Sequence, residues 1–165
     1  MAALTTGNPA PDINLPATNG EQYSLHEALQ KGPVIAVFFK ISCPVCQYAL
    51  PFIERIYKSQ GNKKVTILGI SQNDKRDTEL FMKEYGVTFP VLLDDTKTYP
   101  VSNAYGITNV PTTFVISPDG NIEVSSVSWA KKEIDEINHL AAEANGSSPT
   151  PVFSANEQVA EFRAG

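Results

Sequence analysis

The sequence predicts a mixed α/β fold in which helices cover both faces of a central β-sheet. Val34–Phe39 is an uninterrupted apolar run rich in β-branched and aromatic side chains, which is typical of a strand buried on both faces. A helical apolar stripe follows this run directly, and strand and helix patterns then alternate to residue 143. With 165 residues and 42% hydrophobic content, the chain is long enough to bury such a sheet in one domain.

The first elements are predicted to be a hairpin and a short helix. Apolar alternation at residues 13–15, a turn at Asn19-Gly20 and a return strand at residues 21–24 indicate two antiparallel strands. Leu25–Lys31 has a helical pattern, and Gly32-Pro33 ends it. We therefore expect an amino-terminal β-hairpin extension ahead of the central sheet.

The later elements continue the alternation. Pro51 lies inside the helix that follows the central strand and is expected to kink it, because proline removes one backbone donor. The turn at residues 117–120, Ser-Pro-Asp-Gly, predicts an antiparallel hairpin between its two flanking strands. In order, we predict a strand at residues 65–71, a helix at 77–85, a strand at 91–93, a helix at 98–105, strands at 113–117 and 121–127, and a helix at 131–143.

The composition changes after the last predicted helix. Asn145 begins a Gly-, Ser- and Pro-rich linker, and the residues beyond it have no strong period. We therefore assign residues 1–144 to one domain and residues 145–165 to a linker and tail. The tail is either flexible or docked through Val152 and Phe153.

The charge balance excludes two classes of partner. Lys and Arg number 13 against 18 Asp and Glu, and the sequence pI is near 5.0. Binding to nucleic acid or to an anionic membrane needs clustered cations, so neither is expected as the main partner. The apolar runs are too short to span a bilayer, and the first residues lack the basic and apolar regions of a signal peptide. We expect a monomer in the cytoplasm.

The only two cysteines, Cys43 and Cys46, flank Pro44-Val45 and have three interpretations. A zinc site needs two more ligands, but His26 and His139 lie on separate predicted helices, so no metal is expected. An inert disulfide would close a loop too short to stabilise the chain much. A C-x-x-C motif between a strand and a helix instead favours thiol–disulfide chemistry.

The position of the pair predicts a different role for each sulfur. Pro44 suits the first helical position, so Cys43 is placed at or next to the helix N-cap, where unpaired amides and the helix dipole favour thiolate over thiol. Cys43 is therefore the predicted nucleophile. Cys46 lies one turn later on the buried stripe and is predicted to resolve the mixed disulfide. The pair is itself the redox group, so no other cofactor is expected. The partners would be protein or small-molecule disulfides or thiols and an upstream reductant.

Four segments, in this order and spacing, resemble a known superfamily. They are residues 7–13, Phe38-Phe39 followed by the C-x-x-C motif, Pro51, and residues 106–116. The chain is similar to the thioredoxin fold, and specifically to the TlpA/ResA-like and alkyl hydroperoxide reductase/thiol-specific antioxidant (AhpC/TSA) superfamily, over residues 7–143. This resemblance implies a thioredoxin-like central mixed sheet. It also implies a cis Val110–Pro111 bond beside the cysteines, with Pro44, Val45, Val110 and Pro111 in substrate binding.

The superfamily contains a second chemistry, peroxide reduction. Peroxiredoxins resemble one another in P-x-x-x-(T/S)-x-x-C and in a later arginine. Here Ala36 stands at the proline position and Lys40 at the threonine or serine position. Residues 111–113 stand where that arginine is expected. The sequence therefore favours thiol–disulfide exchange, with a thiol peroxidase using Cys43 as the alternative. A non-catalytic binding module on the same fold is a third class, and the intact cysteine pair argues against it.

Several positions depart from the thioredoxin pattern. Val37 stands where thioredoxins carry the buried acid that accepts the proton of the second thiol, so water or another group must serve. Thr112 stands where TlpA/ResA-like proteins often have glutamate. Lys40 and Ser42 are candidates for tuning the Cys43 thiolate, against the simpler interpretation of a solvated lysine and a polar loop residue. Trp129 is expected to pack rather than to belong to the site.

Overall fold

The computed structural model describes residues 2–61 and 63–165, which form five helices and nine strands. The helices are α1 (Leu25–Lys31), α2 (Pro44–Gln60), α3 (Lys75–Tyr85), α4 (Pro100–Ala104) and α5 (Lys131–Ala144). The strands are β1 (Asn14–Pro16), β2 (Gln22–Ser24), β3 (Val34–Phe39), β4 (Thr66–Ser71), β5 (Val91–Leu93), β6 (Thr112–Ile116), β7 (Ile122–Val127), β8 (Trp129–Ala130) and β9 (Phe162–Arg163). Within these two ranges no helix has an apolar stretch long enough to cross a bilayer.

The central strand β3 organises a five-stranded mixed sheet with the order β5-β4-β3-β6-β7. β3, β4 and β5 are parallel, whereas β6 runs antiparallel to β3 and β7 antiparallel to β6. All six residues of β3 are buried, as its continuous apolar run predicts. β1 and β2 pair separately as an antiparallel hairpin. The predicted mixed sheet with flanking helices and an amino-terminal strand pair is confirmed.

Alternate side chains of β3 enter two apolar clusters, one on each face of the sheet. The odd-numbered residues of β3 pack with side chains of α2, α3 and α5. The even-numbered residues pack with α1, α4 and the β1–β2 hairpin. Because each fully buried aliphatic or aromatic side chain contributes about 1.5–3 kcal/mol, β3 is held firmly from both faces. The loop that leaves its carboxyl end therefore starts from a fixed position.

Some element boundaries differ from the sequence prediction, for local reasons. α4 begins at Pro100 rather than at residue 98, because Tyr99 has a left-handed φ of 48° and cannot be a helical residue. α3 begins two residues earlier than predicted, because the Asp74 side chain accepts a hydrogen bond from the Asp77 amide and caps the helix. α2 continues through Pro51 to its end. β8 and β9 have no counterpart in the predicted elements.

Residues 145–165 fold back over α2 and β8. Val152 is buried in the core, and the Phe153 ring lies 5.3 Å from the Phe52 ring. Arg55 binds both carboxylate oxygens of Glu157 at 2.7 and 2.8 Å. At its end the tail adds β9 antiparallel to β8. Of the two alternatives for the tail, the structure has the docked one, through Val152 and Phe153.

Candidate active site

The two cysteines lie at the start of α2, just after the buried strand β3. Cys43 is the N-cap of α2 with extended backbone angles, and Pro44 occupies the first turn. The Cys46 amide donates a hydrogen bond to Cys43 Sγ across 3.2 Å. The sulfur of Cys43 therefore takes the place of a capping oxygen at the positive end of the helix dipole, where negative charge is stabilised. Both cysteines are free thiols.

The two sulfurs differ in burial. Cys43 is half-buried, whereas Cys46 has no exposed surface. Burial raises the pKa of the Cys46 thiol far above its ordinary value, and the hydrogen bond with Cys43 acts in the same direction. The backbone of Lys40 lowers the pKa of this thiol and so opposes the shift. Cys46 is therefore a protonated thiol at neutral pH and must lose a proton before it can attack.

A second loop brings the backbone of Val110 to the nucleophile. The Val110–Pro111 peptide bond is cis, and the thiol of Cys43 donates to the Val110 carbonyl oxygen across 3.4 Å. No residue in the described part of the chain accepts a hydrogen bond from the Val110 amide. Thr112 Oγ1 donates to the Asn109 carbonyl at 2.7 Å and so fixes the loop from inside. An extended chain lying beside Cys43 would meet a free amide at Val110.

The two candidates for tuning the Cys43 thiolate are both exposed side chains. Lys40 acts on the site through its backbone: its carbonyl accepts from the Cys43 amide at 3.4 Å. Its ammonium group has no ion-pair partner among residues 2–61 and 63–165. The Ser42 hydroxyl forms no hydrogen bond with any described residue. Pro44 is exposed next to Cys43, and the Val110 carbonyl contacts Cys43 Sγ, whereas the other two predicted substrate-binding residues, Val45 and Pro111, are buried. Lys40 and Ser42 are exposed in the loop that precedes Cys43.

Within residues 2–61 and 63–165, neither of the buried carboxylates replaces the acid whose position Val37 occupies. Val37 is fully buried on β3. The two buried carboxylates are committed to backbone amides elsewhere. Glu54 accepts from the Thr88 amide at 2.8 Å, and Asp94 accepts from the Ser102 amide at 2.8 Å.

The region that sequence reasoning missed is the end of the tail. Trp129 packs in the core as expected, 5.1 Å from the Tyr48 ring, but its indole N–H also donates to the Ala160 carbonyl at 2.7 Å. Gly165 lies against the Val110 carbonyl, which Cys43 also contacts. The tail has no periodic apolar pattern, so the weak signal available was the pair Val152 and Phe153 alone.

The described residues contain no group of three or more His, Cys, Asp or Glu side chains arranged to hold a metal ion. His26 and His139 are both exposed, on α1 and α5.

The sequence profile of the AhpC/TSA family matches residues 6–125, a range that ends before the tail. The chain is 33% identical over 121 residues to the thiol-disulfide oxidoreductase ResA of Bacillus subtilis (strain 168), covering 73% of this chain and 66% of that protein. It is 31% identical over 139 residues to the ResA of Geobacillus thermodenitrificans (strain NG80-2), covering 84% and 78%. The solution structure of a putative protein disulfide isomerase from Bacteroides thetaiotaomicron superposes with a TM-score of 0.79 at 24% identity, covering 89% of this chain and 96% of that one.

Proposed function

Because the chain belongs to the AhpC/TSA family and the two curated relatives described above are thiol-disulfide oxidoreductases, we propose that it exchanges thiols and disulfides through Cys43 and Cys46. Cys43 is the attacking sulfur and Cys46 the resolving sulfur. The observation that carries this assignment is the position of Cys43 Sγ, which accepts the Cys46 amide at the helix end and lies 3.4 Å from the Val110 carbonyl.

The reaction takes two displacements. The Cys43 thiolate attacks one sulfur of the substrate disulfide, the substrate S–S bond breaks, and the departing sulfur leaves as a thiolate. Cys43 is then joined to the substrate in a mixed disulfide. Cys46 gives its proton to water or to the departed thiolate and attacks Cys43 Sγ, which releases the second substrate thiol. The substrate disulfide gains two electrons and two protons, and Cys43 and Cys46 become a disulfide.

The substrate is positioned by backbone rather than by charge. An extended substrate segment pairs with the free Val110 amide and lies in a groove between the Val110 loop and the exposed Pro44. Val45 is buried in the core and offers the substrate little surface. Such main-chain recognition tolerates many sequences, because every peptide offers the same donors and acceptors. We propose protein thiols and disulfides as the principal partners, with a dithiol protein as the upstream reductant.

Reduction of insulin by the dithiol form, followed through the precipitation of its freed chains, tests this function. Cys43→Ala is expected to lower the rate to background, and Cys46→Ser to accumulate a covalent mixed disulfide visible by mass spectrometry. Glu136→Gln, an exposed change on α5, is the matched control. Rapid consumption of hydrogen peroxide that survives Cys46→Ser would instead show a peroxidase and contradict the proposal.

We also propose that the protein acts as a monomer in the cytoplasm, where C-x-x-C pairs are kept reduced by the thiol pool. Light scattering on the purified chain tests the monomeric state. Cell fractionation followed by thiol trapping tests the cytoplasmic location and the reduced state of the cysteine pair. A dimer, or a pool that is mostly disulfide in a separate compartment, would contradict them.

A further inference from the structure

The last six residues, 160–165, which we call the tail segment, run from helix α2 to the loop that carries Val110. At the start of the tail segment, the Ala160 amide donates to the Tyr48 hydroxyl at 3.0 Å. The Ala160 carbonyl accepts from the Trp129 indole N–H at 2.7 Å. Trp129 is fully buried, so this end of the tail segment is anchored on the core.

The other end of the tail segment reaches the catalytic loop. The Gly165 amide donates to Ser128 Oγ at 3.0 Å, and the Gly165 carbonyl accepts from Asn109 Nδ2 at 3.0 Å. A Cβ built on Gly165 would overlap the Val110 carbonyl oxygen, so glycine alone fits so close. That carbonyl is the one 3.4 Å from Cys43 Sγ. One oxygen atom thus separates the nucleophile from the tail segment.

Between its two ends the tail segment covers the flank of α2 beside the cysteines. The Arg163 guanidinium stacks on the Tyr48 ring, 4.7 Å from its centre. Tyr48 lies in the first two turns of α2, so this contact holds the tail segment at the helix end that carries the cysteines. β9 adds main-chain pairing with β8 along this path. The tail segment therefore closes the groove on the side of Tyr48, Trp129 and Ser128.

We propose that the tail segment is a specificity-determining wall of the catalytic groove. It admits small disulfides and single extended chains to Cys43 and excludes disulfides held on folded protein surfaces until it is displaced. This proposal rests on the thiol–disulfide function proposed above. Displacement starts at Gly165, because one of its two hydrogen bonds is made by the exposed Asn109 side chain, whereas Ala160 is bonded to the fully buried Trp129 indole.

Access to Cys43 can be measured without any catalysis. In a Cys46→Ser background, we compare the rates at which Cys43 reacts with N-ethylmaleimide and with the same maleimide on a polyethylene glycol chain. Ser128→Ala removes the partner of the Gly165 amide, and Gly165→Ala introduces the overlap with Val110. Ala164→Ser, an exposed neighbour, is the control, and a chain ending at Glu161 removes the end of the wall.

Loss of one neutral hydrogen bond shifts such a local equilibrium by about two- to twelvefold. We expect Ser128→Ala to raise the rate with the large reagent by about that factor, with the N-ethylmaleimide rate and the Ala164→Ser rates unchanged. Gly165→Ala should raise the same rate because its Cβ would overlap the Val110 carbonyl oxygen. The chain ending at Glu161 should exceed both. The ratio of insulin reduction to oxidised-glutathione reduction should rise in the same order.

If the ratio of the large-maleimide rate to the N-ethylmaleimide rate were the same in all variants, the proposal that the tail segment limits access to Cys43 would be wrong. Parallel acceleration by both reagents would also overturn it, because that pattern reports a more reactive sulfur rather than a more open groove. Circular dichroism on each variant shows whether the fold is kept, and the two point variants carry the test if the shortened chain unfolds. Alkylation of Cys43 does not require thiol–disulfide exchange. If the protein fails to reduce insulin but the variants still accelerate only the large maleimide, the proposed function is wrong and the proposed role of the tail segment stands.

Discussion

Replacing Cys43 by serine and by alanine separates its chemical role from its structural one. The Cys46 amide donates to Cys43 Sγ at 3.2 Å, so the sulfur caps α2. Cys43→Ser retains a side-chain acceptor at this position, and Cys43→Ala has none. Neither variant has a nucleophilic sulfur there. We expect both to lose activity, and only Cys43→Ala to lose stability.

The magnitude follows from the cap. Replacing a capping serine by alanine lowers the free energy of unfolding by about 0.5–2 kcal/mol, with about 1 kcal/mol typical. For a domain of this size, 1 kcal/mol lowers the melting temperature by about 2–4 °C. Because a thiol is a weaker acceptor than a hydroxyl, Cys43→Ser should be at least as stable as the reduced parent chain.

Urea unfolding and insulin reduction, measured on the same samples in excess reductant, give both quantities. The two variants share every other residue, so each is the control for the other. Equal stability of Cys43→Ser and Cys43→Ala would show that the helix end does not act on this side chain. Activity above background in either variant would show that Cys43 is not the nucleophile.

Three further predictions concern groups with unusual surroundings. Burial raises the pKa of Cys46, so the rate at which it resolves a mixed disulfide, measured by stopped flow, should rise about tenfold per pH unit up to about pH 9; an earlier plateau would contradict this. Arg55 holds the pKa of Glu157 at about 2, below its ordinary 4.5, so the contribution of this ion pair to tail docking is complete above pH 4.5 and is lost as the pH falls toward 2. Hydrogen exchange in the tail should show this loss of protection in the parent chain, and an identical loss in Glu157→Gln would assign it to another group. Glu54→Leu leaves the buried Phe89 amide unpaired and should lower the free energy of unfolding by about 1–3 kcal/mol more than Glu54→Gln in urea, whereas equal losses would contradict that role.

The sheet and the cysteine pair could be predicted because their signals are local. The six apolar residues of Val34–Phe39 indicate a strand buried on both faces without reference to any other segment. Pro44 at the start of a helical stripe indicates the N-cap position of Cys43 in the same way. Both features depend only on residues close to one another in the sequence, and the structure has both.

The rest of the site depends on contacts between residues far apart in the chain. β8 and β9 are two residues each, too short for any alternation, and their pairing brings Trp129 opposite Arg163. The left-handed φ of Tyr99 shortens α4, and this could not be predicted because tyrosine does not favour that conformation. The approach of Gly165 to the Val110 carbonyl results from the docking of the whole tail, so no motif in the sequence predicts it.

The burial of Trp129 has a practical consequence, since it is the only tryptophan of the chain. Its indole N–H is bonded to the Ala160 carbonyl, and its ring packs 5.0 Å from the Phe52 ring on α2. Release of the tail would bring water to this indole and shift its emission to longer wavelengths. The only tryptophan of the chain therefore reports the release of the Ala160 end of the tail, so complete undocking of the tail can be followed by fluorescence without a label.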